Sequence, residues 1–255
     1  MHAESPTRET AGGYPADRLC RVAAVQDGHY WFESRNRLLT WAFDRFFAGA
    51  GDFLEVGCGS GFVLQAFRRA FPDLRLTGSD ALQPALDIAG ARVPDALFIH
   101  GRAQDLAPPA TIDVAGAFDV LEHIEDDRAV LQRMAAMVRP GGGVMITVPQ
   151  HRWLWSAADE RVYHVRRYRR RELIERVTAA GLQVEYVTSF VSLLLPLMVL
   201  SRWRARSASG ETRGLDVSPR LNALLTAILS IERRLIVSGV TFAAGGSLLL
   251  VARKR

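Results

Sequence analysis

The sequence predicts an α/β protein built on a mostly parallel sheet with helices on both faces. Three observations carry that expectation. Residues 52–64, DFLEVGCGSGFVL, read as an apolar strand that breaks into a glycine-spaced turn and then opens a helix. From Asp52 to Pro149, apolar runs of strand length alternate with segments of helix length, the signature of strands joined by crossover helices. Finally, Glu55, Asp80, Asp105 and Asp119 all fall at or just after expected strand ends. That is the edge at which open α/β sheets bind ligands.

Taken in order, residues 1–14 are small, polar and unpatterned, and are expected to be a disordered tail with no apolar leader segment. Residues 15–255 are expected to form one domain. A helix beginning near Pro15 carries Leu19, Val22, Ala23 and Gln26 on one face and stops at Gly28. A second, unusually aromatic helix follows, with Trp31, Phe32, Leu38, Leu39, Ala42, Phe43 and Phe46 on its apolar side. Together these cap helices occupy 15–50. The core, 51–150, then runs as strand, helix 61–71, strand 74–79, helix 83–90, strand 96–100, strand 113–120, helix 126–138 and strand 143–148.

Beyond it, Arg170 to Ala180 forms a helix ended by Gly181, and 183–188 alternates as a strand. Residues 247–253 give the last strand, and 190–246 are a helical insertion before it. The insertion holds the apolar run 190–200, then Arg202, Trp203, Arg204 and Arg206, then a polar stretch over 207–217. Ser218 and Pro219 start another helix as N-cap and first turn. Its stripe is Leu221, Leu224, Leu225, Ile228, Leu229, Glu232 and Leu235, with Arg233 and Arg234 beside it. The apolar run is too short to span a bilayer, which takes about 20 residues. Membrane foot, substrate pocket and dimer face all remain open for this insertion.

Glycines at alternate positions, Gly57, Gly59 and Gly61, let a backbone turn tightly and let a ligand approach it, while the helix behind offers unpaired N–H groups. The dinucleotide fingerprint wants its third glycine one place later, where Phe62 stands. A P-loop needs a lysine, and the only lysine in the chain is Lys254. The E-x-G-x-G-x-G form resembles motif I of the class I S-adenosylmethionine-dependent methyltransferases. Four further passages resemble that family in the right order: Leu74–Asp80, Phe98–Leu106, the D-V-L-E-H of Asp119–His123, and Arg139-Pro140-Gly141-Gly142-Gly143 with the strand after it. The aromatic stretch with Arg35 also resembles the H-x-W-F-x-x-R opening of bacterial members, in the methyltransferase type 11, 12 and 23 group.

The resemblance implies a Rossmann-like fold of seven strands with the last antiparallel, and S-adenosyl-L-methionine as cofactor. It implies that Glu55, Gly57, Cys58, Gly59 and Gly61 form the cofactor turn, that Asp80 meets the ribose and Asp105 the adenine, and that Ala81 and Gln104 also bind the cofactor. Asp119 and Val120 close the site, and Arg35 is expected to pair with the methionine carboxylate, because a guanidinium matches a carboxylate bidentately. The loop after the fifth strand is rich in His, Trp, Tyr and Arg, which suits acceptor recognition. His151, Trp155, His164, Arg167 and Tyr168 from this loop, with Trp31 from the aromatic helix, are the candidate acceptor residues. A base is required only for a neutral hydroxyl nucleophile; His123 and His151 are the candidates, with His164 as a third. No spacing of His, Asp and Cys suggests a metal.

Charge divides the chain. Residues 1–150 carry 14 arginines and 19 acids, net −5, whereas 151–255 carry 18 basic residues and 8 acids, net +10. The basic half is expected to face anionic lipid or a phosphorylated acceptor rather than nucleic acid, for which no motif is present. Cys20 and Cys58 imply no disulfide framework, which fits a reducing cytoplasm, with the insertion at the inner membrane surface. The expected acceptor is a small molecule, sugar, lipid-linked or quinone-type compound. Two rival readings are a dinucleotide oxidoreductase and a cofactor-binding module without catalysis that serves membrane or partner binding.

Overall fold

The computed structural model describes residues 16–107, 111–205 and 217–255. The expected disordered tail and most of the polar stretch within the insertion lie outside them. Seven strands form one sheet in the order β3-β2-β1-β4-β5-β7-β6. They are β1 (Asp52–Val56), β2 (Arg75–Asp80), β3 (Leu97–His100), β4 (Ile112–Phe118), β5 (Val138–Pro149), β6 (Leu182–Phe190) and β7 (Ser247–Lys254). Strands β1 to β5 pair in parallel, while β7 runs antiparallel between β5 and β6. The chain steps outward from β1 through β2 to β3, then returns to β1's other side for β4. The order therefore reverses between β1 and β2 on one side and β4 on the other. A crevice opens outside the carboxyl ends of strands at such a reversal.

Two apolar layers sandwich the sheet. On one face α2 (Tyr30–Phe47), α3 (Phe62–Ala70) and α4 (Gln83–Arg92) pack with α9 (Pro219–Val237). On the other lie α5 (Asp127–Met137) and α7 (Arg170–Ala179). Strand β4 is buried at every residue, as a central parallel strand covered on both faces must be. The remaining helices are α1 (Ala16–Val25), α6 (Ala157–Arg161) and α8 (Leu195–Ala205). Strand β5 is longer than its apolar run suggests, because the Pro-Gly-Gly-Gly passage continues it back to Val138 across a register shift against β4.

The insertion is anchored firmly. Glu232 on α9 accepts from the amides of Ser192 and Leu193 at 2.7 and 2.8 Å, pinning the helix to the corner where β6 turns toward α8. Val191 in that corner has φ 58, a left-handed conformation rare for a β-branched residue. At the other end, Asn222 accepts from Tyr30 N at 2.8 Å and donates to Gly28 O at 2.9 Å. The start of α9 is thereby tied to the junction of α1 and α2. No described helix is long and apolar enough to cross a membrane.

Candidate functional site

The reversal point opens into a cleft of about 2010 Å³. Its floor is the turn between β1 and α3. Gly57 has φ 69, and a Cβ there would lie 2.6 Å from a Val120 methyl, so the loop after β4 needs a glycine beneath it. Gly59 has φ 52 and a different reason: nothing lies within 4 Å of where its Cβ would be, because that position faces the cleft. Gly61 instead packs against Ala89 of α4 and does not line the cleft.

Asp80, at the end of β2, holds this turn in shape. One carboxylate oxygen accepts from Gly59 N at 2.9 Å and the other from Leu82 N at 2.9 Å. Burial raises its pKa, and those backbone bonds oppose the rise. Each oxygen retains a lone pair for a hydroxyl donor. Beside it, Glu55 is fully buried; burial raises its carboxyl to about 8, Arg35 opposes the shift and Asp80 adds to it. One Glu55 oxygen has no hydrogen-bond partner among the described residues. Arg35 stacks 4.7 Å over the Trp31 ring and pairs with Asp119 at 2.6 Å. Asp119 itself sits at φ 58 at the end of β4. Ala81, Gln104 and Val120 complete this wall, together with Cys58. Burial pushes the Cys58 thiol well up, with Glu55 and Asp80 adding to the shift, so it is a small packing residue rather than a thiolate.

A second cluster stands opposite. His164 Nδ1 lies 2.9 Å from Asp159 Oδ1, which also accepts from Arg167 Nε at 2.7 Å. Burial raises the Asp159 carboxyl, but bonds from His164 and the charge of Arg167 outweigh it and hold the group well below the usual range. Ser156 and Asp159 form a capping box on α6 that fixes the carboxylate. Because an ionised Asp159 only accepts, the Nδ1 of His164 carries a proton, so in the neutral imidazole Nε2 is the acceptor. His164 Nε2 is 3.8 Å from Glu122, whose carboxyl is pushed well up by burial and by Asp119. The His123 ring meets His164 at 4.7 Å, edge to face; burial and His164 lower its pKa to about 3. A cofactor with ribose and amino-acid ends fits the first wall, where an open Gly59 face, the Asp80 lone pairs and an orphaned Glu55 oxygen converge. Glu122, His123 and His164 also bring three potential ligand atoms within 4.8 Å of one another. One carboxylate and two imidazoles suit a small transition-metal ion, a grouping that positions 122, 123 and 164 do not betray in sequence.

Of the sequence-predicted residues, Trp31, Arg35, Glu55, Gly57, Cys58, Gly59, Asp80, Ala81, Gln104, Asp119, Val120, His123, His164 and Arg167 line this cleft. Five do not. Gly61 serves helix packing, and Asp105 is exposed, because a short 3-10 turn at Ala103–Asp105 presents Gln104 inward instead. Tyr168 is fully buried under α7, with its hydroxyl bonded to Leu121 O and Asp127. Trp155 turns outward to Glu160. His151 sits at φ 64, stacked on the exposed Trp153, with burial and Arg167 lowering its pKa. Arg202 also departs from the basic surface cluster expected of it. It turns inward to the Leu154 carbonyl, and burial, then Arg167, lowers its pKa to about 10. Sequence reading missed Asp159 and Glu122 as site residues; the apolar wall of Leu194, Leu197, Met198, Leu221 and Leu225 falls in the insertion for which a substrate pocket was one of three open readings. The Ser156-x-x-Asp159 spacing was the available signal for Asp159.

Comparison with known proteins agrees with this geometry. A family described as "Methyltransferase domain" matches residues 24–187. A probable S-adenosylmethionine-dependent methyltransferase of Mycolicibacterium smegmatis is 28% identical over 64% of this chain and 63% of its own length. A ubiquinone biosynthesis O-methyltransferase of Paracidovorax citrulli is 33% identical over 37% of this chain and 42% of its own. The chain thus spans less than two thirds of these relatives. Among solved structures, the N-methyltransferase NodS of Bradyrhizobium japonicum, in complex with S-adenosyl-L-homocysteine, superposes with a TM-score of 0.59 at 17% identity, covering 94% of this chain and 97% of that one. At that identity the likeness is one of fold.

Proposed function

Because the chain belongs to the methyltransferase-domain family, we propose that it transfers the methyl group of S-adenosylmethionine to a hydroxyl oxygen on an acceptor with an apolar portion. The single observation that carries the reading is the Asp80 carboxylate bound to the Gly59 amide at the reversal point of the sheet, over an open glycine face. When bound, S-adenosylmethionine supplies a methyl made electrophilic by its sulfonium. The protein's task is then to hold the acceptor oxygen in line with that methyl and to exclude water.

In this reading Asp80 takes the ribose hydroxyls and Ala81, Gln104 and Val120 border the base. Arg35 and Glu55 serve the amino-acid end, where Arg35 exchanges its bond to Asp119 for one to the ligand carboxylate. Asp159 fixes the His164 imidazole, whose Nε2 takes the proton from the acceptor hydroxyl as the new O–C bond forms. His123, with its pKa near 3, stays neutral and packs against that imidazole. Arg167 steadies Asp159 rather than touching the acceptor. The apolar side chains of α8 and α9 take the rest of the acceptor, which favours a lipid-linked or quinone-type compound over a free sugar. The proposed location is the cytoplasm at the inner membrane surface.

Calorimetry with S-adenosylmethionine, followed by transfer of labelled methyl to a panel of phenols with and without apolar tails, tests this. Release of S-adenosylhomocysteine with tailed hydroxyl acceptors is the expected result. No cofactor binding would overturn the assignment. His164→Asn should lower turnover by roughly 10²–10⁴-fold, the usual range for a general base, and leave cofactor affinity unchanged.

A further inference from the structure

Among the described residues, ten of the fourteen exposed large hydrophobic side chains fall between Leu193 and Val240. They are concentrated on α8, on α9 and on the turns beside them. Helix α9 is apolar on two adjacent faces. Leu225, Leu229 and Ile236 point inward, where the helix packs on α2. Leu221, Leu224, Ile228, Ile231 and Leu235 recur at spacings of three and four and make one stripe turned the other way. Four of those five are exposed, Leu224 by 57% and Ile231 by 52%. The stripe is held in place, since Asn222 and Glu232 fasten both ends of the helix to the body.

Charge decides what covers it. Arg220 and Arg234 are exposed and flank the stripe, and Arg233 is half-buried on the helix's other side. The only acid on α8 or α9 is Glu232, which is buried and bonded to backbone amides. Over 190–240 the sequence carries seven arginines against three acids. A second copy of the chain would set arginine against arginine across a shared stripe, with no exposed acid on either helix to answer it. An anionic lipid surface answers both features at once, with acyl chains for the leucines and headgroups for the guanidiniums.

The same surface runs into the cleft. Leu197 and Leu221 are both exposed outside and part of the cleft wall, next to Met198 and Leu225. From these observations we infer that the α8–α9 face docks on an anionic bilayer, and that the cleft mouth then opens toward the lipid. An acceptor with an apolar tail reaches His164 from the membrane without crossing water. This rests on the proposed methyl transfer only for the acceptor's route; the docking itself is independent of catalysis.

The test is co-sedimentation of the full chain with phosphatidylglycerol–phosphatidylcholine vesicles at low and high salt, with pure phosphatidylcholine as control. Binding to the anionic vesicles that weakens with salt is expected. Arg220→Ala and Arg234→Ala should each weaken it roughly fivefold, the usual weight of one basic side chain near such a surface. Leu224→Gln with Ile231→Gln should abolish it while leaving the melting temperature and S-adenosylmethionine binding intact. No sedimentation with anionic vesicles at low salt overturns the inference. So does equal binding to neutral vesicles, or a stable dimer that the Leu224 and Ile231 substitutions dissolve. Failure of methyl transfer with vesicle binding intact would count against the proposed reaction and leave the docking standing.

Discussion

The two walls of the cleft are built by opposite rules. The cofactor wall comes from the ends of β1, β2 and β4, and its clasp binds backbone: Asp80 grips Gly59 and Leu82. The proposed acceptor wall takes its polar cluster from one stretch after β5, and its polar groups bind one another: Asp159 with His164 and Arg167, five and eight residues on. A carboxylate that shapes a backbone turn leaves a local, ordered trace in the chain. A carboxylate that orients a side chain in an irregular loop, with no glycine or strand pattern beside it, leaves almost none. The first wall therefore reads as a cofactor site from sequence, whereas the second becomes a site only when the fold assembles it.

Breaking the first wall at its clasp should have the largest effect. Asp80→Ala removes the ribose acceptor and loosens the glycine turn together. At about 1.5–3 kcal/mol for each bond to a charged group, S-adenosylmethionine affinity should fall a hundredfold or more. Circular dichroism should show an unchanged fold, and near wild-type affinity by calorimetry would sink the cofactor assignment.

Two glycines sharpen the same contrast within one turn. Gly57→Ala forces a left-handed backbone and a methyl 2.6 Å from Val120, so it should cost the fold about 2–4 kcal/mol by overpacking and strain together. Gly59→Ala meets open space and should cost the fold only the left-handed term, about 1–2 kcal/mol, while blocking the ligand. Denaturant melts and binding titrations on both variants separate the two roles. Equal stability losses would mean that Gly59, too, is only a packing glycine.

Arg35→Ala comes next in size. It removes a guanidinium stacked on Trp31 and leaves Asp119 without its ion pair. Cofactor affinity should weaken by about 1.5–3 kcal/mol. Unchanged affinity with reduced turnover would move Arg35 from the first wall to the second.

How much of this was legible follows from the same contrast. The strand ends carrying Glu55, Asp80 and Asp119 were visible because short apolar runs and glycine punctuation are local signals. The parallel sheet followed from the strand–helix alternation, whereas the last antiparallel strand at 247–253 was placed by the family resemblance. Asp105 misled because a one-residue difference in a 3-10 turn exchanges it with Gln104, and no periodicity resolves a single residue there. Tyr168 and Trp155 misled because aromatic composition does not tell a buried ring from one that lines a cleft. The orientation of Arg202 was hidden for another reason. Arginines close in sequence suggest a patch, but successive helical residues are rotated by about 100°, and Arg202 faces Leu154.

The remaining prediction concerns Glu55 and is read through pH. Its carboxyl is raised to about 8 by burial, against an ordinary value of 4.5. Below pH 4.5 the folded and unfolded chains are both protonated there, and the residue costs nothing. Between 4.5 and 8 the unfolded chain ionises while the folded one keeps its proton, so stability falls as pH rises. Above 8 the full penalty, on the order of 5 kcal/mol, is in place. A cationic ligand group nearby lowers that pKa, so S-adenosylmethionine binding should release a proton near neutrality. Affinity should then rise with pH, by at most about tenfold per unit, until the free carboxyl ionises near 8. Titrations between pH 6.5 and 8.5, in buffers of different ionisation enthalpy, measure both the slope and the proton released. Glu55→Gln should flatten the slope and abolish the release, and should also remove the loss of stability between pH 4.5 and 8. A slope that survives in Glu55→Gln would assign the linkage elsewhere on this wall, with Asp80, whose pKa is also raised, as the next group to change.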